Sequence, residues 1–179
     1  MYNRTQEVEV RKHFFEDDGR IPNNPELPLL VYLGLSESLT YLPRAARSYS
    51  RRTVGGGAWV SGVFSYHHYH SNAHEALCVM SGEMSGEASI ALGRPEGTTV
   101  EVKAGDLEVI PAGVGHCNAR SSNDFAVLGA HPRGQESHDL RTGEESERSE
   151  ALDNICNVPL PEADPLFGSG SPLLDHRSR

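Results

Sequence analysis

The chain has 179 residues, 37% hydrophobic side chains, 18 glycines, 11 prolines and a formal net charge of −9. That length fits one domain able to bury an apolar core without disulfides. The acidic balance argues against nucleic acid or anionic membrane as partners, and no stretch nears the roughly 20 apolar residues that cross a bilayer.

In chain order, Glu7-Val8-Glu9-Val10-Arg11 alternates with a period of two and predicts an edge strand. Its Val8-Glu9-Val10 edge is a candidate for pairing with a second copy in a homodimer. Asp17-Asp18-Gly19-Arg20 reads as a turn, and the three prolines between Ile21 and Pro28 predict an extended, irregular stretch. The apolar run from Leu29 to Leu33 predicts a buried strand. Leu39, Leu42, Ala46 and Tyr49 recur at helical spacing, which predicts a helix over 40–52 with Pro43 in its first turn, closed by Gly55-Gly56-Gly57.

From Trp59, the single tryptophan, the pattern changes to short β-like runs at 59–70, 74–80, 83–92, 98–103, 107–110, 116–120 and 125–131. Turn signals between them predict a sandwich or a barrel, because short antiparallel strands must close or double up to protect their edges. Glu108 alternates with Leu107 and Val109 and is expected to face solvent.

The tail is different: residues 132–179 hold ten acidic side chains against five arginines. A short helix is expected near 147–155. Beyond it, Val158, Leu160, Leu166, Phe167, Leu173 and Leu174 are expected to fold an extended arm back onto the strands. The organisation predicted is thus 1–58 as N-terminal strands and helix, 59–131 as the β core, and 132–179 as a C-terminal extension. The polar start, residues 1–7, lacks a secretory pattern. Cys78, Cys117 and Cys156 are odd in number and include no C-x-x-C pair, as expected of reduced thiols. The expected compartment is the cytoplasm.

Four of the nine histidines fall within Tyr66-His67-His68-Tyr69-His70-Ser71-Asn72-Ala73-His74-Glu75. Residues i and i+2 of a strand share a face, so His68 and His70 project together, with His74 on the same parity. Glu75 can return on the next strand to the same space. His116 follows Pro111, Gly113 and Gly115, a tight-turn composition that aims it reproducibly. Imidazoles and a carboxylate on converging strands suit a borderline-soft divalent ion.

These residues resemble the two motifs of the cupins. Gly62, His68, His70, Glu75 and Gly82 match the first motif at every spacing. Gly105, Pro111, Gly113 and His116 match the second, with Arg120 where the motif has Asn and Asn118 two positions early. His-His-Tyr-His-Ser at 67–71, Val-Ile-Pro-Ala-Gly-Val-Gly-His at 109–116 and the late Asp-Asn-Ile and Asp-Pro-Leu-Phe-Gly segments within 153–168 are similar to the YjlB-like branch of that family.

The resemblance implies an all-β fold, a single jelly-roll β-barrel (double-stranded β-helix) with a short N-terminal helix and a C-terminal extension. It also implies one divalent transition-metal ion (Fe, Mn, Ni, Co or Zn, with Fe favoured) held by His68, His70, Glu75 and His116. Such a centre leaves positions open for a small-molecule substrate. The expected function is a mononuclear metal-dependent oxidoreductase acting on a small oxygenated organic molecule. A metal-dependent isomerase or decarboxylase, and a non-catalytic small-molecule-binding barrel, are the alternatives. His74, Tyr66 and Arg120 are the candidate catalytic residues; Arg120 and Asn118 share the parity of His116 and are expected to face the cavity, Arg120 as a clamp for an anionic group. His67 is expected at the rim, and Tyr69 in the core with a satisfied hydroxyl.

Overall fold

The computed structural model describes residues 8–34, 58–80, 87–93 and 97–167, so the helix expected over 40–52 lies outside the described residues. Within them are nine strands: β1 (Glu9–Phe15), β2 (Asn24–Leu33), β3 (Ala58–Ser61), β4 (Glu75–Val79), β5 (Glu87–Gly93), β6 (Thr98–Lys103), β7 (Leu107–Ile110), β8 (Gly115–Ser121) and β9 (Val127–Ala130). A 3-10 turn (Glu145–Glu147) leads into one helix, α1 (Arg148–Asn157). All strand pairs are antiparallel. They form a six-stranded sheet in the order β1-β2-β7-β4-β9-β3 and a three-stranded sheet in the order β6-β5-β8.

The two sheets face each other across one apolar layer. Leu29, Val31, Leu77, Val79, Ile110 and Val127 of the larger sheet meet Ile90, Leu92, Val100 and Val102 of the smaller. The outer face of the larger sheet is covered as well: Leu30, Tyr32, Ala76, Cys78, Leu107, Val109 and Leu128 form a second cluster, joined by Val10, Leu166 and Phe167. Strands buried on both faces read as continuous apolar runs, which is why Leu29 to Leu33 shows no alternation.

That double cover corrects the expectation for Glu108. Leu107 and Val109 point to the outer cluster, so alternation sends Glu108 into the space between the sheets, opposite Leu77 and Val31. It is 1% exposed, and its Oε1 has no hydrogen-bond partner. Burial pushes its carboxyl up to about 7.

Two further departures have local causes. The run expected as one strand over 59–70 stops at Ser61; beyond it, His68 pairs only with His116 and Tyr69 only with Arg141, each as an isolated bridge. In β8 the inward residue Ile90 lies opposite Asn118, but Ser89 lies opposite Arg120, so Ala119 is an extra, bulged residue. The bulge reverses parity, and Arg120 is exposed beside Glu101, at 3.9 Å, instead of facing the cavity. The prolines of β2 cause no conflict: Pro25 and Pro28 fall in the irregular stretch between the Leu29–His13 and Asn24–Phe15 pairs, where no ladder needs their N–H.

The expected arm folds back in part: Leu160 is exposed, and Leu173 and Leu174 lie outside the described residues. Tyr32 donates its hydroxyl to Asp164 (2.6 Å), and Leu166 and Phe167 pack on the outer cluster. Among the described residues no helix is long and apolar enough to cross a membrane.

The loop before His116 is tightly fixed. Gly113 has φ +91°, and a Cβ there would sit 2.4 Å from the Asn23 carbonyl oxygen. Its N–H donates to the His70 carbonyl at 2.8 Å, tying the two metal-motif segments together. Gly113→Ala meets both a disfavoured φ and a main-chain clash, and should cost at least about 2 kcal/mol, read from the midpoint of urea unfolding.

Candidate metal centre

Three segments bring donors together. His68 and His70 lie on the extended stretch before β4, Glu75 opens β4, and His116 is the second residue of β8. Main-chain hydrogen bonds lock His68 to His116 in both directions, at 3.2 and 2.9 Å. The ring nitrogens of His68, His70 and His116 all come within 4.8 Å of one another. Glu75 Oε2 lies 3.3 Å from His116 Nε2 and 3.6 Å from His70 Nε2. Donors about 2.1 Å from a shared ion sit roughly 3.0–3.5 Å apart in octahedral or tetrahedral geometry, so these gaps suit a cation. Glu75 Oε2 is buried and makes no aligned hydrogen bond, the kind of orphaned oxygen that a cation satisfies.

The tautomers are set by the main chain. Nδ1 of His68 faces the Tyr66 carbonyl (3.2 Å), that of His116 faces the Val114 carbonyl (3.3 Å), and that of His70 faces the Asp139 carbonyl. A carbonyl only accepts, so each Nδ1 carries a proton and Nε2 is the nitrogen that each ring turns to the centre, free in neutral His68 and His70 and facing Glu75 in His116. Electrostatics agree. Burial, helped by neighbouring His116, lowers His68 to about 3, and burial lowers His70 to about 4, so both are neutral near pH 7. Burial alone would raise Glu75, but contact with His116 and the pull of His70, His116 and His131 outweigh it and hold the carboxyl at about 2. Burial would likewise lower His116, and contact with Glu75 overcomes it, raising His116 above its usual value.

A cavity of about 360 Å³ opens over these donors. Apart from His68, His70, Glu75 and His116, its walls include Trp59, Val63, Phe64, Leu77, His138 and Leu140.

The remaining sequence candidates lie elsewhere. His74 is 1% exposed, and its Nδ1 accepts the Ala112 N–H at 3.0 Å, which makes it a brace for the loop before His116. Tyr66 is exposed, stacked on Phe64 (5.0 Å between ring centroids) and edge-on to His68 (5.8 Å). His67 points to the other side, with its Nδ1 3.2 Å from Cys117 Sγ. Tyr69 is fully buried, as expected of a core residue, but its hydroxyl has no partner.

Sequence reasoning missed His131, His138 and the part played by 137–141. His131 follows β9 on the parity of the inward Val127, a signal that was there to be read. His138 lies in an irregular loop with no such signal. Asp139 supplies the carbonyl for His70, and Asp139 and Glu150 ion-pair with Arg141 at 2.5 and 2.9 Å.

Fold and side-chain cluster together define a small β-protein of the double-sheet kind with a group of side chains that could hold a metal ion, and comparison with known proteins gives its family. A family model described as Cupin matches residues 62–152, and the chain belongs to the cupin family. It is 44% identical over 169 residues to the uncharacterized protein YjlB of Bacillus subtilis (strain 168), covering 94% of this chain and 97% of that one. Among solved structures it is similar to acireductone dioxygenase from Bacillus anthracis with a cadmium ion in its active center (18% identity, TM-score 0.35, 69% of this chain and 76% of that one). It is also similar to vicilin from Corylus avellana (18% identity, TM-score 0.38, 57% of this chain and 30% of that one). A Bacillus subtilis oxalate decarboxylase variant matches with 13% identity and a TM-score of 0.33, over 83% of this chain and 33% of that one. The chain thus spans about a third of the length of the last two.

Proposed function

We propose that this protein is a mononuclear metal-dependent cupin enzyme that acts on a small oxygenated organic molecule. One divalent transition ion, iron in the favoured reading, is held by His68, His70, Glu75 and His116. The two facing sheets form the jelly-roll barrel around it. The observation that carries this reading is the convergence of three main-chain-oriented Nε2 atoms on a buried, ionised carboxylate.

The ion would supply Lewis acidity and, for iron, one-electron redox chemistry toward dioxygen. The protein's own residues do the rest. Trp59, Val63, Phe64, Leu77 and Leu140 give the cavity an apolar wall that fits the carbon body of a substrate and excludes water. A substrate oxygen is thereby turned toward the four donors, the polar floor of the cavity. Exposed β1, at the edge of the larger sheet, is the surface we assign to pairing of two copies.

Elemental analysis of protein purified without added metal should find about one transition ion per chain. Anaerobic reconstitution with iron, followed by oxygen uptake with a panel of enols and hydroxyketones, then tests the redox reading. Metal binding with no uptake on any of them would leave the redox-neutral isomerase or decarboxylase, and a chain that takes up no transition ion would remove the enzyme reading altogether.

Proton release offers an independent check. His68 and His70 are already neutral near pH 7, whereas His116 holds its proton above the usual range. Binding should therefore release the proton that His116 holds, and affinity should rise with pH until His116 is neutral. Calorimetric titration in buffers of different ionisation enthalpy measures it.

A further inference from the structure

We infer that His131 and His138, with His70, form a second and overlapping cation subsite at the cavity mouth, through which the metal is loaded. The inference rests on the metal-centre reading above. His70, His131 and His138 each offer a ring nitrogen, all within 4.8 Å of one another. His131 is 1% exposed, and its Nδ1 donates to the His74 carbonyl at 2.9 Å, so its Nε2 carries a lone pair. That Nε2 is buried, has no hydrogen-bond partner and lies 3.9 Å from Glu75 Oε1. Two buried acceptors facing each other invite a cation between them.

The other carboxylate oxygen, Oε2, faces His116 and His70. Glu75 thus offers one oxygen to each subsite, and His70 belongs to both. His138 is the exposed member. Its ring stacks on His131 (4.0 Å between centroids), lies edge-on to His70 (4.8 Å) and forms part of the cavity wall. A single Nε2 of His70 serves one ion at a time, so the subsites alternate and the chain holds one ion. An ion captured from solvent by His138 and His131 passes to His68 and His116 by exchange of the outer imidazoles for the inner ones, with His70 and Glu75 in contact throughout. No electron moves in the transfer, and the proton that His116 holds against Glu75 leaves to solvent as that imidazole takes the ion.

The test uses the full chain, Co(II) and the fluorescence of Trp59, which lines the cavity and is the single tryptophan. Stopped-flow quenching gives association, chelator chase gives dissociation, and elemental analysis gives stoichiometry. A subsite on the path speeds both directions alike. His138→Ala, an exposed position that should fold normally, is expected to slow association and dissociation each about tenfold, because capture no longer makes the next ligand exchange intramolecular. The dissociation constant should stay within about twofold, with one ion per chain. His131→Gln, whose amide can still donate to the His74 carbonyl, should slow loading likewise.

An unchanged association rate in both variants overturns the inference while leaving the metal centre intact. So does faster dissociation at unchanged association, which would make His138 a resident ligand, or a stoichiometry of two. A wild-type chain that binds no Co(II) overturns both readings together.

Discussion

Glu75→Gln should lower the affinity for a divalent transition ion by at least about 100-fold, more than loss of a residue that only orients a ligand. Glu75 is 2% exposed, and its carboxyl, held at about 2, is ionised at any working pH. The amide has nearly the same shape, so what disappears is the charge among otherwise neutral donors. A second readout separates this from general damage. Without the carboxylate, burial, the largest influence on His116, prevails and keeps that imidazole neutral. Proton release on metal binding should then fall, and the pH dependence of affinity should flatten. Calorimetry with Mn(II) or Co(II) across a pH series checks both. A variant that binds as tightly as the wild type would remove Glu75 from the donor set.

Glu108→Gln should stabilise the metal-free protein in alkaline solution and not in acid. The folded chain keeps the Glu108 proton up to about 7, whereas the unfolded chain releases it near the ordinary 4.5. A carboxyl raised on folding favours the folded state while both states are protonated. The advantage is lost as pH rises through that interval, because the unfolded state gives up its proton first. Each pKa unit is worth about 1.4 kcal/mol, so the wild type should lose roughly 2–3 kcal/mol between about pH 5 and about pH 8 on this account. Glutamine carries the same unsatisfied polarity but does not titrate, so the gap between variant and wild type should widen by that amount over the same range. Urea unfolding at the two pH values measures it, and parallel stability curves would show that Glu108 is not charged on unfolding.

The strands of the core were largely readable in the residues. Strands β6 and β7 match the runs read at 98–103 and 107–110, and α1 lies within a few residues of the helix read near 147–155, because alternation and flanking glycines mark such elements locally. The clustering of these side chains was readable for the same reason: fixed spacings on extended chain place His68, His70 and Glu75 together, and the turn before His116 has the composition its backbone needs. Parity failed at Arg120 and Glu108. Alternation counts faces but cannot see an inserted residue in β8, and it takes the non-apolar face for solvent when a second sheet covers it. The roles of His138 and Asp139 were not readable, since both come from an irregular loop whose place depends on the Tyr69–Arg141 bridge, a contact across more than 70 positions.

The five imidazoles of the two clusters (His68, His70, His116, His131 and His138) share one habit: each turns its Nδ1 to a main-chain carbonyl. Their aim is therefore written in the path of the chain and not in the identity of neighbouring side chains. Drift during evolution could exchange Tyr66, Val114 or Glu136 for other residues and leave every ring oriented as it is. What would re-aim a ring is a residue gained or lost in the short segments that carry those carbonyls, so variation in loop length, more than point substitution, is the route by which relatives of this protein would come to prefer a different ion.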